Sequence, residues 1–406
     1  MHRSDKELSR RSFLGRSVAG LVGAGLGIAG AGSAAGAGGK TAGEEEDKPH
    51  IRDYRTLGDT GWKVSDISFG SATMKDPSLL EYAMDRGINY VDTARQYFDM
   101  EVVIGKLFPA KRDKLFVTTK LLPELFTAGT TADEIMKAIE ESLERLNTDY
   151  IDSCLIHSIG DPNLGDWSRI KNPAIVEAFE KARKQGKIRA WGASSHGPRM
   201  VEELTWLIEN TPADMIMPGM NMLTVGLEPV LAKAKEKKIA VVAMKSLSAA
   251  RKIDYSAYMT EGRTTRQGLT RWMLAQPGLD TVCITMNTPE EIDEFVAVSG
   301  KPGMSSREKR VLEGYCSLLS DEYCRPGCSG CAQACPNDVP IHDILRYRLY
   351  FNNYGREKYA LNLYSRLPES RRASVCAGCA GHCEGGCPHG LDIRGSLLRA
   401  HGELTV

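Results

Sequence analysis

Between Tyr54 and Gly300, eight short apolar runs recur, each followed by a stretch with helical spacing. The runs are 67–71 (ISFGS), 89–94 (NYVDTA), 115–120 (LFVTTK), 151–157 (IDSCLIH), 188–194 (IRAWGAS), 215–221 (MIMPGMN), 240–245 (AVVAMK) and 281–286 (TVCITM). Their length suits strands buried on both faces. The intervening segments, such as 132–147 and 173–187, place apolar residues three and four apart, as amphipathic helices do. Over 288–298 the pattern predicts a further helix, with Thr288 as N-cap and Pro289 at its first position. Eight strand–helix units within about 250 residues predict an α/β chain folded as a closed parallel (β/α)8 TIM barrel over residues 51–304. An open doubly wound sheet is the alternative. It would want a G-x-G-x-x-G turn after the first strand. Phe69-Gly70-Ser71-Ala72-Thr73 is no such turn, and the Gly-x-Gly pattern at 23–27 follows no strand.

Barrel chemistry gathers at the C-terminal ends of the strands. Asp92 ends the second predicted strand, Lys120 the third and His157 the fourth, and Tyr97 lies in the loop after Asp92. Converging at one mouth, these four suit carbonyl reduction. A tyrosine hydroxyl, with its pKa near 10, is a slow proton donor at neutral pH. A neighbouring ammonium lowers that pKa, an aspartate holds the ammonium, and a histidine orients the substrate oxygen.

On these residues the chain resembles the aldo-keto reductases. Tyr54-Arg55-Thr56-Leu57-Gly58 with Thr60-Gly61-Trp62-Lys63-Val64-Ser65 is similar to that family's opening. Asp92-Thr93-Ala94-x-x-Tyr97, Thr118-Thr119-Lys120 and Asp149-Tyr150-x-Asp152-x-x-Leu155-Ile156-His157 are similar to its central motifs. The resemblance spans roughly residues 51–300. It implies Tyr97 as general acid, Lys120 and Asp92 as the groups that tune it, and His157 as the residue that orients the carbonyl. A nicotinamide nucleotide, NADP(H) or NAD(H), would supply the hydride.

The same resemblance implies a nucleotide site at Ser194, Ser195, Asn221, Lys245, Asn287 and Thr288. The chain departs from the family there. Ser195 replaces the family's Asn after the fifth strand, and Met217 stands where a Gln is usual. After the eighth strand, Glu290 and Glu291 oppose a phosphate dianion that the helix N-terminus would otherwise attract.

Eight of the 11 cysteines lie between Cys324 and Cys387. The runs are Cys324-x3-Cys328-x2-Cys331-x3-Cys335-Pro336 and Cys376-x2-Cys379-x3-Cys383-x3-Cys387-Pro388. Two four-cysteine runs ending in Cys-Pro resemble a ferredoxin carrying two [4Fe–4S] clusters, in which the fourth cysteine of each run ligates the other cluster. Each run has one extra residue in one gap. The spacer, helix-compatible over 341–366 and rich in Tyr, Arg and Leu, is similar to helical ferredoxin modules fused to other redox enzymes. Some aldo-keto reductase relatives carry such a tail. Residues 305–406 are thus expected to form a small helical ferredoxin-like domain, entered by a helix at 305–320. Two four-cysteine zinc sites and disulfides are the alternatives. His382 and His389 are expected to donate hydrogen bonds near the ligands or to face solvent. Cys154 and Cys283 read as small core residues, and Cys316 has no assigned role.

The N-terminus sets the expected location. Ser9-Arg10-Arg11-Ser12-Phe13-Leu14 precedes a Gly- and Ala-rich, weakly apolar run at 18–39, with small residues near Ala35-Gly36-Ala37. This is similar to a twin-arginine export signal, which implies a signal over 1–37, a linker over 38–50 and a folded protein delivered to the periplasm. An uncleaved segment acting as a tether is the alternative. No later segment is long and apolar enough to span a membrane. Lysine plus arginine and aspartate plus glutamate each number 52, which excludes a broad nucleic-acid surface. Removing 1–37 leaves 47 basic against 50 acidic side chains.

Two functions follow. One is an oxidoreductase interconverting a small carbonyl and alcohol, with clusters relaying electrons to a partner protein. The other is an exported electron-transfer or binding protein on a catalytically altered barrel.

Overall fold

The computed structural model describes residues 48–108, 110–247, 256–259, 263–319 and 323–405. The expected signal over 1–37 and the linker up to residue 47 lie outside the described residues. Chain entry is a two-stranded hairpin, β1 (Tyr54–Thr56) and β2 (Lys63–Ser65), paired antiparallel. Leu57 and Val64 of this hairpin pack beneath the barrel interior with Tyr90, Phe116, Leu155, Met215 and Val242. The hairpin therefore fills one end of the barrel and leaves the chemistry to the other.

Eight parallel strands close into a ring: β3 (Ile67–Gly70), β4 (Tyr90–Asp92), β5 (Phe116–Leu121), β6 (Ile151–Ile156), β7 (Ile188–Ser195), β8 (Met215–Pro218), β9 (Ala240–Ala243) and β10 (Thr281–Thr285). The ring shuts where β10 pairs with both β3 and β9, Val282 opposite Ile67 and Ala243. The predicted barrel is observed, each strand on its predicted run, and the open-sheet alternative falls. Strand periodicity positions the site. Residues two apart share a face, so Tyr90 and Asp92 on β4 point inward beside Phe116, Thr118 and Lys120 on β5. Tyr90 stacks on Phe116 at 5.2 Å, and the Thr118 hydroxyl donates to the Tyr90 hydroxyl at 2.7 Å.

The outer layer is helical. It includes α1 (Pro77–Asp85), α2 (Met100–Gly105), α3 (Ala132–Leu146), α4 (Pro173–Lys184), α5 (Met200–Asn210), α6 (Glu228–Glu236), α7 (Thr265–Leu274) and α8 (Pro289–Val296). Local chemistry fixes their ends. Thr131 and Glu134 form a reciprocal capping box at the start of α3, and Asn147 closes it in a left-handed conformation. Thr288 caps α8 with Pro289 next, as the sequence predicts.

Helix α9 (Ser306–Leu319) leads to the cysteine-rich segment. Beyond it, α10 (Ile341–Asn353), α11 (Glu357–Ser365) and α12 (Ile393–Leu404) build an apolar core of their own from Ile344, Tyr347, Leu363, Tyr364, Ile393 and Leu397, with Cys376 and Cys383. The helix-compatible stretch 341–366 is not one helix. It breaks at Gly355, whose φ of 61° lies in the left-handed region that favours glycine. Residues Asp47–Val406 form one compact unit, and the tail is bonded to the barrel by Asn163 to Tyr347 and by Arg366 to Glu124. Among the described residues no helix is long and apolar enough to cross a membrane.

One contact tests the barrel packing. Gly192 on β7 lies against β8, where an added Cβ would sit 1.8 Å from the Met215 carbonyl oxygen. A backbone carbonyl in a ladder has no freedom to retreat. Gly192→Ala is expected to destabilise the protein by about 3 kcal/mol, read as a lower denaturation midpoint.

Candidate active site

The centre of the mouth is a buried ion pair. Lys120 Nζ donates to Asp92 Oδ1 at 2.5 Å, to Asp92 Oδ2 at 2.6 Å and to the Thr93 carbonyl at 2.9 Å. An ammonium has three protons, so these contacts use all of them. Burial raises the Asp92 carboxyl above its ordinary range, and the Lys120 charge opposes that rise.

Tyr97 and His157 complete the group. Their rings meet edge-on at 5.8 Å, and Lys120 Nζ lies 5.3 Å from the centre of the Tyr97 ring. The structure thus brings Asp92, Tyr97, Lys120 and His157 together from β4, its following loop, β5 and the end of β6. Burial, then the Asp92 charge, pushes the Tyr97 hydroxyl well above its ordinary pKa. Burial, then the charges of Lys120 and Lys245, pushes His157 well below its own. His157 is therefore a neutral imidazole. Its Nδ1 is buried with no hydrogen-bond partner among the described residues.

Beside this group lies a partly enclosed cavity of about 170 Å³. Asp92, Tyr97, Met217, Met244, Lys245, Ser246 and Cys283 line it from the barrel. Tyr350, Tyr354 and Arg356 line it from the tail. The tail residues had no positional signal in the sequence beyond the Tyr- and Arg-rich composition of their segment. Lys245 Nζ donates to the Tyr350 hydroxyl at 2.6 Å, and Arg356 reaches the Ala72 carbonyl at 3.4 Å.

The expected nucleotide residues are placed differently from one another. Lys245 lines the cavity. The Ser194 hydroxyl accepts from the Ser158 amide at 2.9 Å, and the Ser195 hydroxyl donates to Glu203 at 2.5 Å. Asn221 accepts from Leu223 N and donates to the Lys245 carbonyl. Asn287 accepts from the Thr73 hydroxyl, and Thr288 caps α8. Thr73 itself faces the cavity.

All 11 cysteines are free. Cys154 is a buried strand residue of the main apolar core. Cys283, also on a strand, faces the mouth cavity. Burial pushes the Cys316 thiol up to about 11. The eight tail cysteines fall into two neighbourhoods. Besides burial, Cys331, Cys328 and Cys387 push the Cys324 thiol up. Likewise burial, then Cys335, Cys383 and Cys379, pushes Cys376 up to about 11. The fourth cysteine of each run thus stands with the first three of the other. The runs cross at Gly330 and Gly386, where a Cβ on either would come within about 3 Å of the other's carbonyl oxygen. The Val339 amide donates to Cys335 Sγ at 3.4 Å. Among the described residues no group of three or more His, Cys, Asp or Glu side chains is drawn into a single-ion site.

Comparison with known proteins agrees with the barrel. Residues 66–252 match the sequence profile described as the Aldo/keto reductase family. The chain is 31% identical over 259 residues to an aldo-keto reductase of Mycobacterium avium (strain 104), covering 58% of this chain and 81% of that protein. A solved aldo-keto reductase of Bacillus halodurans, in its holo form, superposes with a TM-score of 0.54 at 22% identity, covering 65% of this chain and 96% of that one. An aldo-keto reductase of Klebsiella pneumoniae in complex with NADPH superposes with a TM-score of 0.52 at 23% identity, covering 66% and 95%. Both structural likenesses show the shared barrel fold.

The buried imidazole makes acid stability a test of this geometry. His157 binds its proton more weakly folded than unfolded, so the unfolded state gains protons first as pH falls below about 6.5. Its share of stability is lost on acidification, by about 1.4 kcal/mol per pH unit below that point. Chemical denaturation of the wild type and His157→Asn from pH 7 to pH 5 should show the shallower decline in the variant.

Proposed function

The chain belongs to the aldo/keto reductase family and is an oxidoreductase, and on that premise we propose that it interconverts a small carbonyl compound and its alcohol at the barrel mouth with a nicotinamide nucleotide. The observation that carries this reading is the buried Asp92–Lys120 pair, with Asp92 and Tyr97 on the wall of one cavity and His157 against the Tyr97 ring. In the reduction direction His157, neutral, donates a hydrogen bond to the carbonyl oxygen and orients it. Tyr97 gives the proton as that oxygen gains charge. Lys120, fixed by Asp92, supplies a positive charge beneath the tyrosine ring that favours its ionised form over the neutral one.

The donors around the cavity fit a nucleotide. Lys245 and Arg356 offer cations for phosphate groups, and Thr73, Ser246 and Thr285 offer hydroxyls. Asn287 and Thr288 lie at the neighbouring helix N-terminus, where phosphate is favoured. The Klebsiella relative with NADPH supports NADP(H), with NAD(H) as the other form. When bound, the nucleotide supplies or accepts the hydride. Ser194 and Asn221 would act through the backbone they hold at Ser158, Leu223 and Lys245, and Ser195 through Glu203.

We further propose two [4Fe–4S] clusters in the tail, one held by Cys324, Cys328, Cys331 and Cys387, the other by Cys335, Cys376, Cys379 and Cys383. The donor chemistry fits. Four thiols crowded together raise one another's pKa, and iron supplies the positive charge that makes them thiolates. An amide donating to Cys335 is the kind of contact that tunes a cluster. When bound, such clusters exchange single electrons. A second cavity supports a relay, because Cys324, His342 and Arg346 line it together with Lys245 and Tyr350 of the mouth. A redox partner protein and periplasmic delivery through the twin-arginine signal complete the proposal. The second reading, a carrier on an altered barrel, is favoured by the Ser195 hydroxyl bonded to Glu203 and by buried Met217.

Anaerobically purified protein is expected to consume NADPH with a panel of small aldehydes and ketones. Tyr97→Phe should lower kcat/KM by about 100-fold or more. Absence of turnover, or indifference to that substitution, defeats the reductase reading. For the tail, iron and sulfide analysis should find about eight irons per chain. Cys387→Ser should disturb the cluster of the first run and spare the second; a colourless zinc protein would refute the assignment.

A further inference from the structure

The wall of the mouth cavity is out of charge balance. Among the described residues Asp92 is the one carboxylate on it, and Lys120 occupies both Asp92 oxygens. Lys245 and Arg356 stand on the same wall with no carboxylate there to pair with. Lys245 Nζ donates to the Tyr350 hydroxyl, a neutral group, at 2.6 Å. Arg356 Nη2 reaches the Ala72 carbonyl at 3.4 Å. That long contact leaves most of the five guanidinium donors unclaimed by the described residues. A concave wall with cations of this kind attracts an anion.

The two cations sit on different segments. Strands β9 and β10 are the seventh and eighth of the ring, and the loops after those two strands commonly form a barrel's phosphate site. Lys245 follows β9 and Thr285 ends β10, so Lys245 falls to the nucleotide. Arg356 comes from the tail and lies beside Ala72, just past β3. Its field reaches the reacting group. Burial, then Asp92 and Cys283, pushes the Tyr97 hydroxyl up, and the Arg356 charge comes next and pushes it down. The placement of Arg356 is fixed locally. Gly355 turns the chain with a φ of 61°, and the Arg356 amide donates to the Tyr350 carbonyl at 3.0 Å. The guanidinium carbon stands 5.3 Å from the centre of the Tyr359 ring.

We propose that Arg356 is a substrate-binding residue that anchors an anionic group, so that the substrate is a small carbonyl compound carrying a carboxylate or a phosphate. The inference rests on the reductase reading and adds the substrate class to it. A guanidinium meets either anion through two parallel hydrogen bonds. Tyr97 and His157 hold the carbonyl oxygen and Arg356 holds the acid group, and two points of attachment fix the orientation of a small molecule. A cavity of about 170 Å³ favours a short one. A neutral analogue leaves the Arg356 donors without an anion and is selected against. Because Arg356 belongs to the tail, the barrel by itself lacks this selectivity.

The test uses the full chain with its clusters and substrates paired by carbonyl type but not by charge: pyruvate with methyl pyruvate, and glyceraldehyde 3-phosphate with glyceraldehyde. The wild type should prefer the charged member of at least one pair, and the pair in question tells carboxylate from phosphate. Arg356→Gln should lower that preference, taken as the ratio of kcat/KM values, by about 30-fold. The change should lie in the KM of the charged member. Arg356→Lys keeps the charge without the fork and should retain part of the preference, which separates loss of the anchor from loss of the fold. NADPH affinity, read by fluorescence titration without substrate, identifies the source of the anion. If Arg356→Gln weakens NADPH binding and leaves the ratio at its wild-type value, Arg356 serves the nucleotide and the proposal is overturned. An active wild type that does not prefer a charged member overturns it as well. A wild type that turns over no member of either pair and no neutral aldehyde or ketone defeats the reductase reading itself, a result distinct from the other two.

Discussion

A lysine ammonium cannot stand inside a closed barrel without a counter-charge, and Asp92 provides it. An isolated buried charge would cost several kcal/mol, and a pair with satisfied hydrogen bonds removes most of that cost. The two residues meet because β4 and β5 are adjacent and because strand alternation turns both side chains inward. The stacked Tyr90–Phe116 layer and the Leu57–Val64 hairpin fill the space below. Water is thereby excluded from one side of the pair, and its field is directed at the mouth. Every other electrostatic feature of the site follows from this arrangement. His157 is neutral because it is buried and near two lysines, and the Tyr97 hydroxyl is held up first by burial and then by the Asp92 charge.

The tail changes what that mouth can do. Helix α10 is fastened along its length to the barrel and to the cysteine runs. His342 near its start meets Cys324 at 3.3 Å, Arg346 meets His196 at 2.9 Å, and Tyr350 meets Lys245. One helix therefore links the first cysteine neighbourhood to the reacting cavity. The barrel supplies the Asp92–Lys120 pair, and the tail supplies Tyr350, Tyr354 and Arg356 to the cavity wall.

The barrel was legible because its signal is periodic. Eight apolar runs with helical stretches between them predict eight strands, and closure follows from their number and parallel order. Asp92, Lys120 and His157 were legible as strand-end polar residues, and Tyr97 by its fixed distance from Asp92. The nucleotide positions were less legible, because hydrogen bonding redirects them. Ser195 reads as a nucleotide-site residue in place of the family's Asn, yet in the fold its hydroxyl belongs to Glu203, eight residues on. The stretch 341–366 is helical on both sides of Gly355, a single left-handed residue that helical composition does not register.

By itself, the sequence determined the strand–helix order, the barrel that this order closes, the inward rows that carry Asp92 and Lys120, and two cysteine runs with matching endings. These are properties of local spacing, and periodicity encodes them directly. Tertiary structure alone decided that the two runs cross at Gly330 and Gly386. It also decided that Tyr350, 105 residues beyond Lys245, completes the mouth. Both depend on how distant segments cross. The physical reason is that a hydrogen bond or a shared electrostatic field is set by separation in space, which chain spacing does not record.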